Sequence, residues 1–314
     1  MVGRAARWMV AALSLCVAPL LPAQVTRDST KVRPPFTRMP GLPPKRQVPL
    51  SPQAPSPVLG YEIVTGPTVD VAPLSIASTT AQCPLNKIAL SAGLEALAAG
   101  DATFGLEVLG VWADGGRNGE IRVRNANVLV AARIQAYAVC VAETAGRRQV
   151  DASLTEGRNM MNASCADTER IAGGGTMTRD VTILMMRNGP FQDARTKQTS
   201  WGSLAWSITY GMTPTFQSRA ICLPALAVRG WQFVEGPRVS LGAHGQSTLT
   251  ASCPGGTVPL ASGVVSVGEQ VDLVWNTLVP SVNGTVTAHV HNRNLVNSNG
   301  NASVQINAVC AERA

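Results

Sequence analysis

Short apolar segments bounded by turn residues recur along the chain from residue 61 to its end. In the first 80 or so residues of this region they cover about Glu62–Val64, Ile76–Cys83, Ile88–Ala92, Phe104–Trp112, Glu120–Asn125 and Arg133–Ala142. β-Branched residues favour strands, and Asn or Gly between them supplies the positive φ of a tight turn. Such turn residues occur at Asn118–Gly119 and Asn283–Gly284. The pattern predicts an antiparallel, all-β fold.

The cysteines divide this region into three copies of one unit. Beyond residue 23 the order of the cysteines gives three pairs, each 57 residues apart: Cys83 and Cys140, Cys165 and Cys222, Cys253 and Cys310. A glycine follows each first cysteine by ten residues, at Gly93, Gly175 and Gly263. Six cysteines permit 15 pairings, and only this one respects the repeat. We therefore predict three tandem repeats of about 80 residues, 61–143, 144–226 and 227–314, with one disulfide each.

The first 60 residues have a different composition. Basic residues precede an apolar run, Trp8–Leu21, and Leu-Pro-Ala-Gln follows, which predicts a signal peptide over residues 1–23. An alternative makes Cys16 a lipid-anchored cysteine, but Leu15 before it is larger than such sites prefer. Residues 24–60 hold nine prolines and six basic residues, which predicts a Pro-rich basic linker. We expect no transmembrane segment and a secreted protein in an extracellular or periplasmic, oxidising compartment.

Charge and composition narrow the function classes. The 314 residues are 45% apolar, 4% aromatic and 14% charged, with a formal net charge of +7. The excess of positive charge lies in residues 1–60, because 18 basic and 18 acidic residues remain from Tyr61 to Ala314. A nucleic-acid-binding domain would carry a basic patch, so we expect no nucleic-acid partner.

Several recurring sequence features resemble a module of exported bacterial proteins. The pattern Ala-Ser-Cys253-Pro254-Gly255-Gly256, then Gly263, a Trp, an Asn-rich strand and Ala308-Val309-Cys310 is similar to the C-terminal heads of bacterial collagen-like proteins. Single copies of these heads trimerise, which implies a trimer-like arrangement. Because the module carries no established active site, the resemblance implies exposure and binding at most. A chain of three fused copies also resembles the threefold β-prism of vitelline membrane outer layer protein I, in the arrangement of its copies and not in its motifs.

No sequence motif for catalysis, a cofactor or a metal is present. His289 and His291 alternate on a predicted strand as two metal ligands do, but they align with Arg122 and Arg124 of repeat 1, which favours a solvated polar face. His244 lies in a predicted loop without a nucleophile motif. Four carboxylates could in principle pair as in a glycosidase, but we interpret them as scattered surface charge: Glu107, Asp114, Glu269 and Asp272.

The tryptophans suggest a binding surface. The segment ending at Trp112 aligns with the segment ending at Trp275, and repeat 2 places Met185 there. A Trp platform with amide side chains can hold a sugar ring. The candidate ligand-binding residues are therefore Trp112, Asn125, Asn127, Trp275, Asn292 and Asn294. The alternative, which a recurring Trp or Met at one strand position favours, is that the aligned Trp, Met and Trp residues are packed core.

These observations favour an exported, non-enzymatic binding or structural protein of the cell envelope or extracellular space that recognises a polysaccharide or another envelope component. The alternative is a secreted hydrolase that acts on such a polymer. The sequence leaves the oligomeric state open. Because repeats of this size support only a small core, we also expect the three copies to pack around a pseudo-threefold axis, with Trp112, Met185 and Trp275 in equivalent environments.

Overall fold

A computed structural model of the chain describes residues 56–97, 105–153, 160–178, 183–207, 215–267, 273–293 and 302–314. The described residues form nineteen strands and no helix. None of them therefore forms a helix that could cross a membrane. The predicted signal peptide and nearly all of the predicted linker lie outside the described residues.

Each repeat contributes the same series of strands. Repeat 1 contains β1 (Glu62–Val71), β2 (Ile76–Gln82), β3 (Lys87–Ala96), β4 (Leu106–Ala113), β5 (Asn118–Asn125) and β6 (Ala132–Ala142). Repeat 2 contains β7 (Arg148–Ser153), β8 (Met160–Ser164), β9 (Glu169–Thr178), β10 (Ile183–Gln192), β11 (Thr199–Ser207) and β12 (Phe216–Pro224). Repeat 3 contains β13 (Gln232–Glu235), β14 (Val239–Leu241), β15 (Gln246–Ser252), β16 (Thr257–Val267), β17 (Leu273–Pro280), β18 (Thr285–Asn292) and β19 (Ala302–Glu312). The strands β13 and β14 together correspond to β1.

Within each repeat the strands form two antiparallel groups of the same order. In repeat 1 these groups are β1-β6-β3 and β2-β5-β4. In repeat 2 they are β7-β12-β9 and β8-β11-β10. In repeat 3 they are β13/β14-β19-β16 and β15-β18-β17. The predicted repeat is thus present at the level of strand pairing.

The repeats pair with one another in a closed cycle. The fourth strand of each repeat pairs with the third strand of the next: β4 with β9, β10 with β16, and β17 with β3. Three composite sheets result, which we name sheet I (β1-β6-β3-β17-β18-β15), sheet II (β7-β12-β9-β4-β5-β2) and sheet III (β13/β14-β19-β16-β10-β11-β8). A parallel bridge between Ser91 and Gly174 joins sheets I and II, so the strands form one 12-stranded and one 7-stranded sheet. This cyclic pairing confirms the pseudo-threefold arrangement.

The recurring glycines allow the repeats to approach closely. A Cβ at Gly93 would lie 2.4 Å from the carbonyl oxygen of Leu278, and one at Gly263 would lie 2.0 Å from that of Asn188. At Gly175 it would lie 2.1 Å from the Cα of Trp112. Each of these contacts is with the fourth strand of the preceding repeat. The glycine ten residues after each first cysteine is therefore required by strand pairing between repeats.

The disulfides are Cys83–Cys140, Cys165–Cys222 and Cys253–Cys310, which confirms the predicted pairing. In each repeat the first cysteine follows the second strand and the second cysteine lies in the sixth strand. Because these two strands belong to different composite sheets, each disulfide connects a different pair of sheets. Three disulfides also indicate an oxidising compartment.

One hydrophobic core contains residues of all three repeats, among them Ile134, Ile171 and Leu260. Repeat 2 adds buried polar groups to this core. The Trp201 indole N–H donates to Asn188 Oδ1 at 2.6 Å, and Asn188 Nδ2 donates to the carbonyl of Val111 in repeat 1 at 3.1 Å. The core is therefore shared between repeats, as expected for units of this size.

The structure corrects the alignment of the tryptophans. A β-bulge interrupts the fourth strand of each repeat at Leu109, Met186 and Asn276. Counted from these bulges, Met185 and Trp275 are equivalent, as predicted, but their counterpart in repeat 1 is Val108. Trp112 lies three residues after its bulge and corresponds to Gly189 and Val279. The prediction that Trp112 shares the environment of the other two is wrong.

Candidate functional site

The outer faces of sheets I and II each carry a groove at the same place in the pseudo-threefold arrangement. Each groove is bounded by the second, fourth and fifth strands of one repeat and by the end of the third strand of the next. The sheet I groove, of about 480 Å³, is lined by Ala96, Gln246, Ser247, Thr248, Asn276, Thr277, His289 and His291. The sheet II groove, of about 370 Å³, is lined by Ile76, Ala77, Ser78, Trp112, Glu120, Arg122, Met177 and Thr178.

Alternation along the fifth strand places the groove side chains. In β18, Val286, Ala288 and Val290 are buried in the core, so the side chains between them face outward. His289 pairs with Thr248 of β15, and His291 pairs with Gln246. The sequence alignment of these histidines with Arg122 and Arg124 is confirmed by strand register, because Arg122 pairs with Ser78 and Arg124 with Ile76.

Hydrogen bonds fix the side chains of the sheet I groove. His289 Nδ1 lies 2.8 Å from Thr248 Oγ1, and His291 Nε2 lies 3.0 Å from Asn276 Nδ2. Because an amide nitrogen donates, His291 Nε2 accepts, which is the arrangement of a neutral imidazole. The Thr277 hydroxyl donates to Asn276 Oδ1 at 3.3 Å. The groove therefore presents oriented amide, hydroxyl and imidazole groups.

Burial controls the charge of the second histidine. His291 is only 5% exposed, so its interpretation as part of a solvated face is wrong, whereas His289 is exposed. Burial and the neighbouring His289 lower the pKa of His291 below its ordinary value. The groove is therefore uncharged at this position near neutral pH.

The sheet II groove has a different chemistry. Arg122 Nη1 donates to the carbonyl of Thr178 at 3.2 Å, which ties the groove to repeat 2. Burial raises the pKa of Glu120, Arg122 opposes this effect and Asp114 adds to it. Trp112 lines the groove but is only 6% exposed, since its indole covers Gly110 and its backbone abuts Gly175. Too little of the indole is therefore accessible for an open stacking face.

The predicted amides do not lie with Trp112. Trp112 pairs with Glu120, and Asn125 lies five residues further along β5, at roughly 17 Å for an extended strand. Asn125 is fully buried, and its Nδ2 donates to the carbonyls of Val71 and Val130. The predicted platform is therefore not assembled in repeat 1.

Hydrogen bonds to backbone groups also hold the other predicted amide side chains in place. Asn292 is buried, and its Nδ2 donates to the carbonyls of Leu241 and Gly242 at 3.0 Å. Asn127 Oδ1 accepts from the amides of Leu129 and Val130 in a turn. Trp275 is fully buried in the core, which supports the alternative interpretation for that residue. Asn294 lies outside the described residues.

The carboxylate interpretation is wrong for Glu107. This residue is 2% exposed and accepts from Arg124 of repeat 1 and Arg293 of repeat 3, at 2.5 Å to Arg293 Nη1. Asp114 closes a turn by accepting from the amides of Gly116 and Asn118. The remaining two candidates, Glu269 and Asp272, lie outside the described residues.

Two cysteine sulfurs and a carboxylate lie close enough together to be considered as metal ligands among the described residues: Cys165, Glu169 and Cys222. The two sulfur atoms form a disulfide, and Glu169 accepts from Arg148. The group is therefore structural. His244 lies in a turn with φ of 57°, exposed, as expected for a loop residue.

Sequence reasoning missed Asn276 and Thr248. They come from strands that are distant in sequence, and neither belongs to a motif. The signal that was available is the pair His289 and His291, since both point to one face and so mark the surface on which these partners lie.

No protein-family model matches the chain, and comparison with curated proteins gives no match. The comparisons therefore identify no family or homologue. What is established is an all-β protein with three disulfides and cyclic pairing between its three repeats.

Proposed function

We propose that the protein is an exported, non-enzymatic module that binds a polysaccharide through the sheet I groove. The observation that carries this proposal is the lining of the groove. Its described lining residues include amides, hydroxyls and imidazoles but no carboxylate, lysine or arginine. Such groups both donate and accept hydrogen bonds, as sugar hydroxyls do. The saccharide unit that we expect in this groove is therefore a neutral one.

The position of the groove also supports a binding role. It lies on the outer face of a sheet whose inner face is packed in the shared core, so its side chains are held on rigid strands. Pre-oriented polar groups reduce the cost of ordering on binding.

A hydrolase is the second candidate, and Glu120 is the residue that favours it. Its raised pKa is the property of a general acid. The nearest acidic neighbour that affects it, Asp114, is occupied by the turn. The hydrolase therefore lacks a free second carboxylate among the described groove residues, and binding is the better supported function.

A glycan array on the purified chain tests the proposal. Three variants should be compared: His289→Ala and Gln246→Ala, which alter exposed groove residues, and Asn283→Ala, a control in the exposed turn between β17 and β18. Loss of one hydrogen-bonding group should weaken binding by about threefold to tenfold, while the control keeps the wild-type affinity. Binding of a neutral glycan that both groove variants retain unchanged would contradict the assignment. Release of a shortened glycan, lost in Glu120→Gln, would favour the hydrolase.

A further inference from the structure

Sheet III carries a partly buried arginine, Arg187, that forms no ion pair with any of the described residues. Arg187 lies on β10, directly after the bulge, where sheet II has Gly110 and sheet I has Thr277. Thr277 lines the outer groove of sheet I, so the equivalent side chain in sheet III also belongs to the outer face.

The surroundings of Arg187 hold its guanidinium in place. The guanidinium lies 4.9 Å from the centre of the Phe191 ring. A Cβ at Gly202 would lie 2.9 Å from Arg187 Nε, so the glycine provides the space in which the guanidinium lies against the backbone. Sheets I and II have Thr287 and Glu120 at the position of Gly202, which would occupy that space.

Among the described residues, Arg187 lacks the carboxylate partner that several other arginines have. Arg187 Nε is buried without a hydrogen-bond acceptor among the described residues. By contrast, Arg124 and Arg293 share Glu107, and Arg219 pairs with Asp151. The segments of β8, β10, β11 and β16 contain no Asp or Glu. Burial, with no compensating carboxylate, lowers the pKa of Arg187.

We infer that Arg187 is the anchor of an oxyanion site on sheet III, which binds the carboxylate or sulfate group of an acidic saccharide. A planar guanidinium stacked on an aromatic ring keeps its outer N–H groups aligned for two parallel hydrogen bonds to such a group. A buried charge without a partner destabilises a fold, so an anion that binds here stabilises it. The saccharide part of this inference rests on the proposed function, whereas the anion part does not.

Thermal unfolding of the purified full chain tests both parts. The probes are sodium sulfate, sodium acetate, a uronate oligosaccharide, a sulfated oligosaccharide and a neutral oligosaccharide, all at one ionic strength. The variants are Arg187→Met, Arg187→Lys and the control Arg133→Met, which alters an exposed arginine paired with Asp70.

We expect an acidic oligosaccharide at about 100 times its Kd to raise the wild-type Tm by roughly 5 °C or more. Arg187→Met should start at a higher Tm than wild type and lose this shift, and Arg187→Lys should lose most of it. Arg133→Met should keep the shift in full.

Other results separate the two parts of the inference. Equal shifts with free sulfate and with the sulfated oligosaccharide would support the anion site and overturn its saccharide specificity. A lower Tm of Arg187→Met together with an unchanged shift would overturn the anion site, because the arginine would then be structural. Loss of the Tm shift in Arg133→Met would overturn the anion site, because the acidic probes would then bind by general attraction to positive charge.

Discussion

The glycines between repeats allow a direct test of the cyclic pairing. Replacing Gly263 by Ala places a methyl group 2.0 Å from the carbonyl oxygen of Asn188. Carbon atoms essentially never approach an oxygen more closely than 3.0 Å, so β10 and β16 must separate by about 1 Å. The oxygen that the new methyl group would meet belongs to the backbone, so it cannot rotate away as a side chain could. The substitution therefore forces apart the seam between repeats 2 and 3.

The cost follows from two contributions. Overpacking in a close-packed interior costs about 1 to 3 kcal/mol, and weakening the hydrogen bonds of the two residue pairs that join β10 to β16 adds about 1 kcal/mol for each bond lost. We expect Gly263→Ala to reduce the free energy of unfolding by about 3 to 5 kcal/mol. For a chain of this size, this corresponds to a fall in Tm of roughly 10 °C.

The matched control is Gly255→Ala, because no atom lies within 4 Å of a Cβ at that position and its φ is ordinary. Its effect should stay within about 0.5 kcal/mol. Thermal and urea unfolding, followed by circular dichroism with the disulfides intact, measure both variants. Equal stability of Gly263→Ala and Gly255→Ala would refute the close approach of the two repeats.

Three further predictions concern charge, disulfides and pH. Glu107→Gln leaves two arginines without their shared carboxylate and should lower the free energy of unfolding, measured in urea, by about 3 kcal/mol. The control Asp70→Asn, in an exposed ion pair, should lower it by less than about 1 kcal/mol, and equal losses would contradict the buried network. Replacing Cys83 and Cys140 by Ser should cost about 4 kcal/mol, since the disulfide closes a loop of 57 residues; an unchanged urea midpoint would contradict this. Burial and, as a smaller cause, the hydrogen bond to Glu95 raise the pKa of Tyr137 from 10.0 to about 12. The stability that the neutral phenol of Tyr137 contributes is complete below pH 10 and is lost as the pH rises through 12. Tyr137→Phe should therefore reduce the fall in Tm at alkaline pH, and an identical fall in both proteins would contradict this prediction.

The repeat architecture was predictable because it depends on residues with strict geometric requirements. A disulfide needs two cysteines at a fixed separation in space, so Cys83 and Cys140 reappear with the same spacing in each copy. Gly263 and its equivalents recur because a side chain there would overlap the neighbouring repeat. Substitution at such positions is costly, and they recur in all three copies although the rest of the repeat sequence differs.

The candidate site was less predictable because it depends on the face of each strand. The number of residues between the first cysteine and the bulge of the fourth strand differs between repeats 1 and 3, so the sequence pattern aligned Trp112 with Trp275 although they lie on different faces of their strands. Asn125 and Asn292 recur in the sequence, but both bond backbone carbonyls inside the fold. Their recurrence reflects a structural requirement, whereas groove residues such as Asn276 differ between copies.

The two ends of the described region lie side by side. Val58 forms a parallel bridge with Arg313, its amide donates to the carbonyl of Glu312 at 2.8 Å, and its carbonyl accepts from the amide of Ala314 at 3.1 Å. Because the repeats close a ring, the ends could be joined by a short linker and the chain opened elsewhere, for example at the positive-φ turn of Gly146 between repeats 1 and 2. Such a circular permutant would keep every strand pair and every disulfide. The ring thus determines which repeats are neighbours and leaves open which of them is synthesised first.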